Sequence, residues 1–245
     1  MRQDGWMDIV GRSAAGLDVV YRHHLDHGED PRQGAIRRGW QVERALSATQ
    51  GEDGLELTLL VSPLPRGERP RRNGHQRLRP ADAARDAEVR QRPAAYAIAV
   101  CDSAVLATEF SSRTGVPGQW GLPGGGIEPG EDPADTVVRE TWEEAGQRLS
   151  APVLIDVQSD HWVGHAPNGV LEDFHAIRLI YAARCPEPGA AVVHDVGGTT
   201  SAAQWVPLDS WTSVPWTRGA RSLLQRHLDS CVRGLALDAS CRTES

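Results

Sequence analysis

The sequence predicts an α/β chain, and three observations carry that prediction. GLELTLLVSPL sets Leu55, Leu57 and Leu59 against Glu56 and Thr58, the period-two pattern of a half-buried strand. Beyond Ala94, the runs AAYAIAV, AVLATEF, APVLIDVQ, FHAIRLIYAARC and SAAQWVPL are rich in β-branched and aromatic residues, which suit a pleated sheet. Among and after them, DPADTVVRETWEEAG and WTRGARSLLQRHLDSCV repeat apolar residues at helical spacing. A chain of 245 residues has room for one such domain with a smaller companion.

In chain order, residues 1–63 read as a small N-terminal α+β unit of unassigned role. GLDVVYRHHL suits a strand or a helix start. DPRQGAIRRGW is helical, with Asp30 as N-cap and Pro31 at the first helical position, where a missing N–H costs nothing. QVERALSATQGEDGLELTLLV reads as a hairpin closed around GEDG. Residues 64–93 carry nine arginines and four prolines with few apolar side chains, the composition of a solvated linker. An anion-binding patch is the alternative for that stretch. The main domain is expected over 94–228, with turns at Asp102–Ser103 and Pro167–Gly169. Its last helix places Ala220, Leu223, Leu224 and Leu228 on one stripe. Residues 229–245 read as a tail.

Composition narrows the function. Forty per cent hydrophobic and 24% charged residues make an ordinary globular balance, and a formal net charge of −7 argues against nucleic acid as a partner. All 26 basic residues are arginine, in keeping with the abundance of Ala, Gly and Pro. No segment reaches the ~18 consecutive apolar residues of a membrane span. MRQDGWMDIVGRSAAG lacks the apolar run of a signal peptide. Cys101, Cys185, Cys231 and Cys241 are dispersed without a CxxC pair, as in a reduced cytoplasmic protein with packing cysteines.

The segment GGGIEPGEDPADTVVRETWEEAG, residues 124–146, is the unusual one. Asp132 and Pro133 open a helix, and Asp135 sits in its first turn, where the helix dipole favours negative charge. At ~100° per residue, Ala134, Val138, Trp142 and Ala145 form an apolar stripe. Glu140, Glu143 and Glu144 fall on the other side with Thr136. Like charges at such spacings repel. Glycines just before the helix let backbone groups approach a ligand closely. Hard divalent cations take oxygen ligands, carboxylates together with substrate phosphate and water. Three carboxylates projecting outward beside an open glycine loop supply that set.

These residues resemble the Nudix box, G-x5-E-x7-R-E-U-x-E-E-x-G-U, in which U is a bulky aliphatic residue. Gly125, Glu131, Arg139, Glu140, Glu143, Glu144 and Gly146 stand at the required spacing within residues 125–147. Thr141 and Gln147 depart from the pattern at its two U positions, which are packing positions. The resemblance spans roughly residues 92–228 as a domain and leaves the N-terminal extension outside it. It implies an α/β/α sandwich around a mixed sheet, with the box as loop–helix–loop. It implies Glu140 and Glu144 as principal metal ligands, Glu143 as a further ligand, direct or through water, and the carbonyl of Gly124 as another. Arg139 would pair with Glu131 as a structural box pair.

The resemblance also implies a chemistry: Mg²⁺- or Mn²⁺-dependent hydrolysis of a diphosphate linkage in a nucleoside diphosphate derivative, water attacking phosphorus. Glu143 or Glu140 is the base within the box. Asp160, Glu172 and Asp173 are outside candidates with no more claim than ordinary surface acids. His161, His165 and His175 have no metal-binding spacing, and Trp162 suits base stacking or packing. A Nudix-fold nucleotide sensor is the alternative reading, but such proteins usually have damaged boxes. An isopentenyl-diphosphate isomerase, which would need Cys101, is a more distant one. The diphosphate substrate is a small molecule whose binding residues no short motif assigns, and residues 1–63 suit a dimer contact or a pocket cover.

Overall fold

Leu57 is fully buried in the N-terminal half, and its neighbours explain the first sheet. The computed structural model describes residues 7–65, 86–101, 103–166 and 169–241. The contact pattern divides the chain into two units. The first comprises Met1–Ala95, Gly126–Ala134 and Leu154–Ile180, and the second Tyr96–Gly125, Asp135–Val153 and Tyr181–Ser245.

In the first unit, β1 (Met7–Ser13), β2 (Val19–His24), β3 (Trp40–Gly51) and β4 (Gly54–Pro63) form a sheet in the order β2-β1-β4-β3. β1 runs parallel to β4, while β2 and β3 are antiparallel to their neighbours. The predicted hairpin is β3–β4, closed by Gly51 opposite Gly54. Leu55, Leu57, Leu59 and Val61 alternate along β4 and are all buried, which is what period two requires of a strand with one covered face. β1 is the strand that alternation misses. It is interior to the sheet and buries Met7, Ile9 and Val10 in near succession. Gly11, opposite Tyr21 in the pairing, leaves room for that ring, whose Cδ1 a β-carbon would meet at 2.6 Å. Helix α1 (Pro31–Arg37) begins where expected, the Asp30 carboxylate accepting from Arg32 N–H at 2.7 Å and Gln33 N–H at 3.3 Å.

The larger sheet contains β5 (Glu88–Val100), β6 (Ala104–Phe110), β9 (Ser150–His165), β10 (Leu171–Arg184) and β11 (Thr200–Pro207) in the order β11-β6-β5-β10-β9. The short strands β7 (Trp120–Gly121) and β8 (Gly124–Gly126) pair with β6 and β5 respectively. With helices α2 (Pro133–Ala145) and α3 (Arg218–Cys241), the architecture is the expected α/β class. In the second unit, Ile98, Val105, Leu106, Val137 and Leu224 are buried to within 2%. The stripe on α3 is buried as predicted, and Cys231 extends it by one turn.

The predicted tail over 229–245 is instead helical as far as Cys241. The run LALDAS is rich in good helix formers, and Gly234 alone does not end the helix. Most of the predicted linker, together with Asp102 and the Pro167–Asn168 part of the second turn, lies outside the described residues. The last linker residues already belong to β5, which starts at Glu88. Among the described residues, no helix is long and apolar enough to cross a membrane.

Truncating the fully buried Leu57 to Ala should cost about 2–5 kcal/mol in denaturant unfolding, whereas the half-exposed Val89→Ala should stay within about 0.5 kcal/mol.

Candidate active site

Helix α2 is fixed at its start by Asp132. One carboxylate oxygen accepts from Ala134 N–H at 3.0 Å, and the other from Gln50 N–H at 3.4 Å. The helix then departs from its predicted orientation. Trp142, placed by periodicity on the core stripe, is 41% exposed, and Ala134 and Val138 are only half-buried. The covered side holds Thr136, Val137, Thr141, Glu144 and Ala145. Trp142 lies instead between two polar neighbours. It stacks on His194 with ring centroids 4.7 Å apart, and the Arg148 guanidinium stands 4.8 Å from its ring centre. Hydrophobic periodicity chooses the more apolar side of a helix, but here the carboxylate side carries specific hydrogen bonds, which turn part of it inward.

Accordingly the three glutamates do not all project outward. Glu144 is buried, accepting a hydrogen bond from Gly124 N–H at 2.9 Å and another from the Thr200 hydroxyl at 2.6 Å. The Glu140 side chain is 16% exposed, and its carboxylate lies against the backbone of Gly125. A β-carbon at Gly125 would come within 2.6 Å of Glu140 Oε2, so only glycine admits the carboxylate there. Glu143 is the open one, its side chain 43% exposed. Arg139 donates to Glu140 at 2.9 Å and to Glu143 at 3.2 Å, partly offsetting their mutual repulsion. The first unit holds Glu131, whose carboxylate accepts from Glu128 N–H at 3.1 Å.

Burial pushes the Glu144 pKa from its ordinary 4.5 up to about 7. The hydrogen bonds from Thr200 and Gly124 oppose that rise, and the negative charges of Glu140 and Asp195 add to it. A buried carboxyl in this state takes up a cation readily, because a nearby positive charge favours its ionised form. The Glu140, Glu143 and Glu144 carboxylates supply oxygen donors, the ligand type that hard divalent ions prefer.

The segment after β10 fixes the far end of α2. The carbonyl of Glu143 accepts from both His194 N–H at 2.8 Å and Asp195 N–H at 3.0 Å, and that of Ala145 accepts from Val192 N–H at 2.9 Å. Gln147, one of the two departures from the box pattern, is buried and satisfied at both ends. Its amide donates to the carbonyls of Ala145 and Ala190, each at 3.1 Å, and its oxygen accepts from Gly189 N–H at 3.0 Å. A polar side chain thus replaces an aliphatic one by bracing the 185–190 turn. The other departure, Thr141, is also fully buried. Thr200 further lines a cleft of about 340 Å³ with Ser111, Ser112, Arg113, Val196 and Gly197.

The sequence profile of the NUDIX domain matches residues 90–226, more than half of the chain. The chain belongs to the Nudix hydrolase family. That makes it a pyrophosphohydrolase acting on phosphoanhydride bonds, in a family that uses divalent metal. Among curated Nudix proteins, it is 36% identical over 96 residues to the nucleoside triphosphatase NudI of Enterobacter sp. (strain 638), a match covering 38% of this chain and 68% of that one. The NudI of Escherichia fergusonii is 44% identical over 96 residues, with the same coverage of 38% and 68%. Among solved structures, the MutT Nudix hydrolase of Burkholderia pseudomallei is 27% identical with a TM-score of 0.43, the match covering 56% of this chain and 98% of that one.

Other predicted candidates lie elsewhere in this Nudix chain. Asp160, Glu172 and Asp173 belong to the first unit, where each has its own partner. Asp160 pairs with Arg178, Glu172 accepts from Arg90 at 3.1 Å, and Asp173 faces His27 and His161. Trp162 packs on Phe174 with centroids 4.7 Å apart. Sequence reasoning missed Thr200, His194 and Asp195. Only the adjacency of a hydroxyl to a distant carboxylate, which no local pattern encodes, distinguishes Thr200.

Because the folded pKa of Glu144 exceeds the unfolded one, its contribution to stability is full below 4.5 and is lost as pH rises through about 7. Denaturant titrations of the metal-free protein between about pH 4 and pH 8 should show that decline, and Glu144→Gln should flatten it.

Proposed function

We propose that this Nudix enzyme hydrolyses a nucleoside triphosphate or a related nucleoside diphosphate derivative, with Mg²⁺ as its ion and Mn²⁺ as a substitute. The observation that carries the reading is the graded exposure of three carboxylates around one glycine turn: Glu144 buried, Glu140 at 16% and Glu143 at 43%. Glu140 and Glu144 would hold the cation with the carbonyl of Gly124, and Glu143 would join directly or through water. When bound, such an ion neutralises the diphosphate oxygens and acidifies an attached water.

The rest of the chemistry falls to the chain. Glu143, the most accessible of the three, accepts the proton of the attacking water at its carboxylate. Glu140, pressed on Gly125, keeps its geometry without depending on solvent. Arg139 holds Glu140 and Glu143 in register, and with Glu131 we assign it the structural role of the box. Thr200 ties Glu144 to the cleft, where the Arg113 guanidinium offers donors to the remaining phosphates. The choice of a triphosphate rests on the relatives named nucleoside triphosphatase.

Glu143→Gln should lower turnover by about 100-fold or more with unfolding unchanged, and Glu144→Gln by a comparable factor. Chelation should abolish hydrolysis and added Mg²⁺ restore it. A panel of nucleoside triphosphates, nucleotide sugars and dinucleotides, scored for released phosphate or diphosphate, identifies the substrate. Full turnover in both glutamine variants would refute the site.

A further inference from the structure

The first unit contains a cluster of imidazoles that the hydrolase chemistry leaves unused. His27 lies in the segment between β2 and α1, His161 on β9 and Asp173 on β10. Their ligand-type atoms all fall within 4.8 Å of one another. A single oxygen, Asp173 Oδ1, faces His27 Nε2 at 3.1 Å and His161 Nε2 at 2.5 Å. From the geometry we propose that His27, His161 and Asp173 form a binding site for a divalent first-row transition metal of the zinc class, using none of the box carboxylates.

Four features support this. Two neutral imidazoles and one carboxylate suit Zn²⁺ or its neighbours, whereas Mg²⁺ prefers oxygen alone. Small ring rotations bring the present spacings to the ~3.3 Å between ligand atoms expected around a tetrahedral ion bonded at ~2.0–2.1 Å. The side chains are 25%, 14% and 18% exposed, sheltered yet open enough for a fourth, exchangeable ligand.

The fourth feature is what surrounds the triad. His175, a third imidazole, has its ring centroid 5.6 Å from that of His27 and 6.0 Å from that of His161. It is nonetheless committed elsewhere. Its Nδ1 accepts from Gly28 N–H at 3.1 Å, so Nε2 carries the proton and donates to the Ser159 hydroxyl at 2.9 Å. With both ring nitrogens occupied, it stands as a wall of the site and not a ligand. Gly28 also lets His161 approach. A β-carbon there would meet Nδ1 at 2.7 Å, and its φ of +74° is one that other residues rarely adopt. Bound metal would thus pin the His27–Gly28 turn of the N-terminal extension to two strands of the Nudix domain.

The test uses the full-length protein stripped of metal and held in excess Mg²⁺, titrated with Co²⁺ and, in competition with a chromophoric chelator, with Zn²⁺. One tightly bound equivalent with visible d–d absorption is expected, along with a rise in melting temperature. His27→Ala and Asp173→Asn should each weaken binding by at least about 100-fold, since even supporting residues around a metal cost 10–100-fold. Glu143→Gln should bind as the parent does. Failure to bind either ion in Mg²⁺, or binding that survives both His27→Ala and Asp173→Asn, overturns the proposal. If those variants do not fold, imidazole ¹⁵N–¹H spectra of the parent decide it. Zn²⁺ must shift the nitrogens of His27 and His161 by direct ligation while His175 keeps its tautomer, and unmoved His27 and His161 signals defeat the site.

Discussion

The burial of Glu144 against Gly124 and Thr200 organises the carboxylate side of α2. A carboxylate withdrawn from water carries a desolvation cost that two hydrogen bonds only partly offset. The cost is visible as a pKa raised to about 7. Everything around it follows that constraint. The helix turns its acid side partly inward, Trp142 is displaced onto the surface, and Arg139 spans the two remaining glutamates. A helix built for stability alone would bury Trp142 and expose all three.

This explains which parts of the molecule were legible in the sequence. The β3–β4 hairpin, the Asp30 cap, the α3 stripe and the strands beyond Ala94 all follow local rules of period, capping and turn chemistry, and those rules held. β1 was not legible, because an interior strand buries consecutive residues and shows no alternation. The orientation of α2 was misjudged for a different reason. Periodicity weighs apolar area, and it has no term for hydrogen bonds to a carboxylate from a glycine 20 positions earlier and a threonine 56 positions later. The identity of the glutamates was readable from spacing, but their unequal exposure was not. His27 could not be linked to His161 and Asp173 either, since 134 and 146 residues separate them along the chain.

Gln147, one of the two departures from the box pattern, shows how a fold absorbs a polar residue at a packing position. Gln147 is not a weakened aliphatic contact. It replaces dispersion with three hydrogen bonds to backbone groups of two segments, fully enough that burial costs little. Consistency between the helix, the turn at 185–190 and the glutamate cluster is therefore maintained by different forces from those the aliphatic pattern would use.

The stretch from Val192 to Gly198 is tethered to α2 through main-chain atoms, its N–H groups meeting the carbonyls of Glu143 and Ala145. Main-chain anchoring is indifferent to which side chains the tether carries. Val193 and Val196, which line the cleft, can therefore be substituted without loosening that tether. Under the proposed function, such a partition lets substrate preference be set on a short ribbon without disturbing the carboxylates.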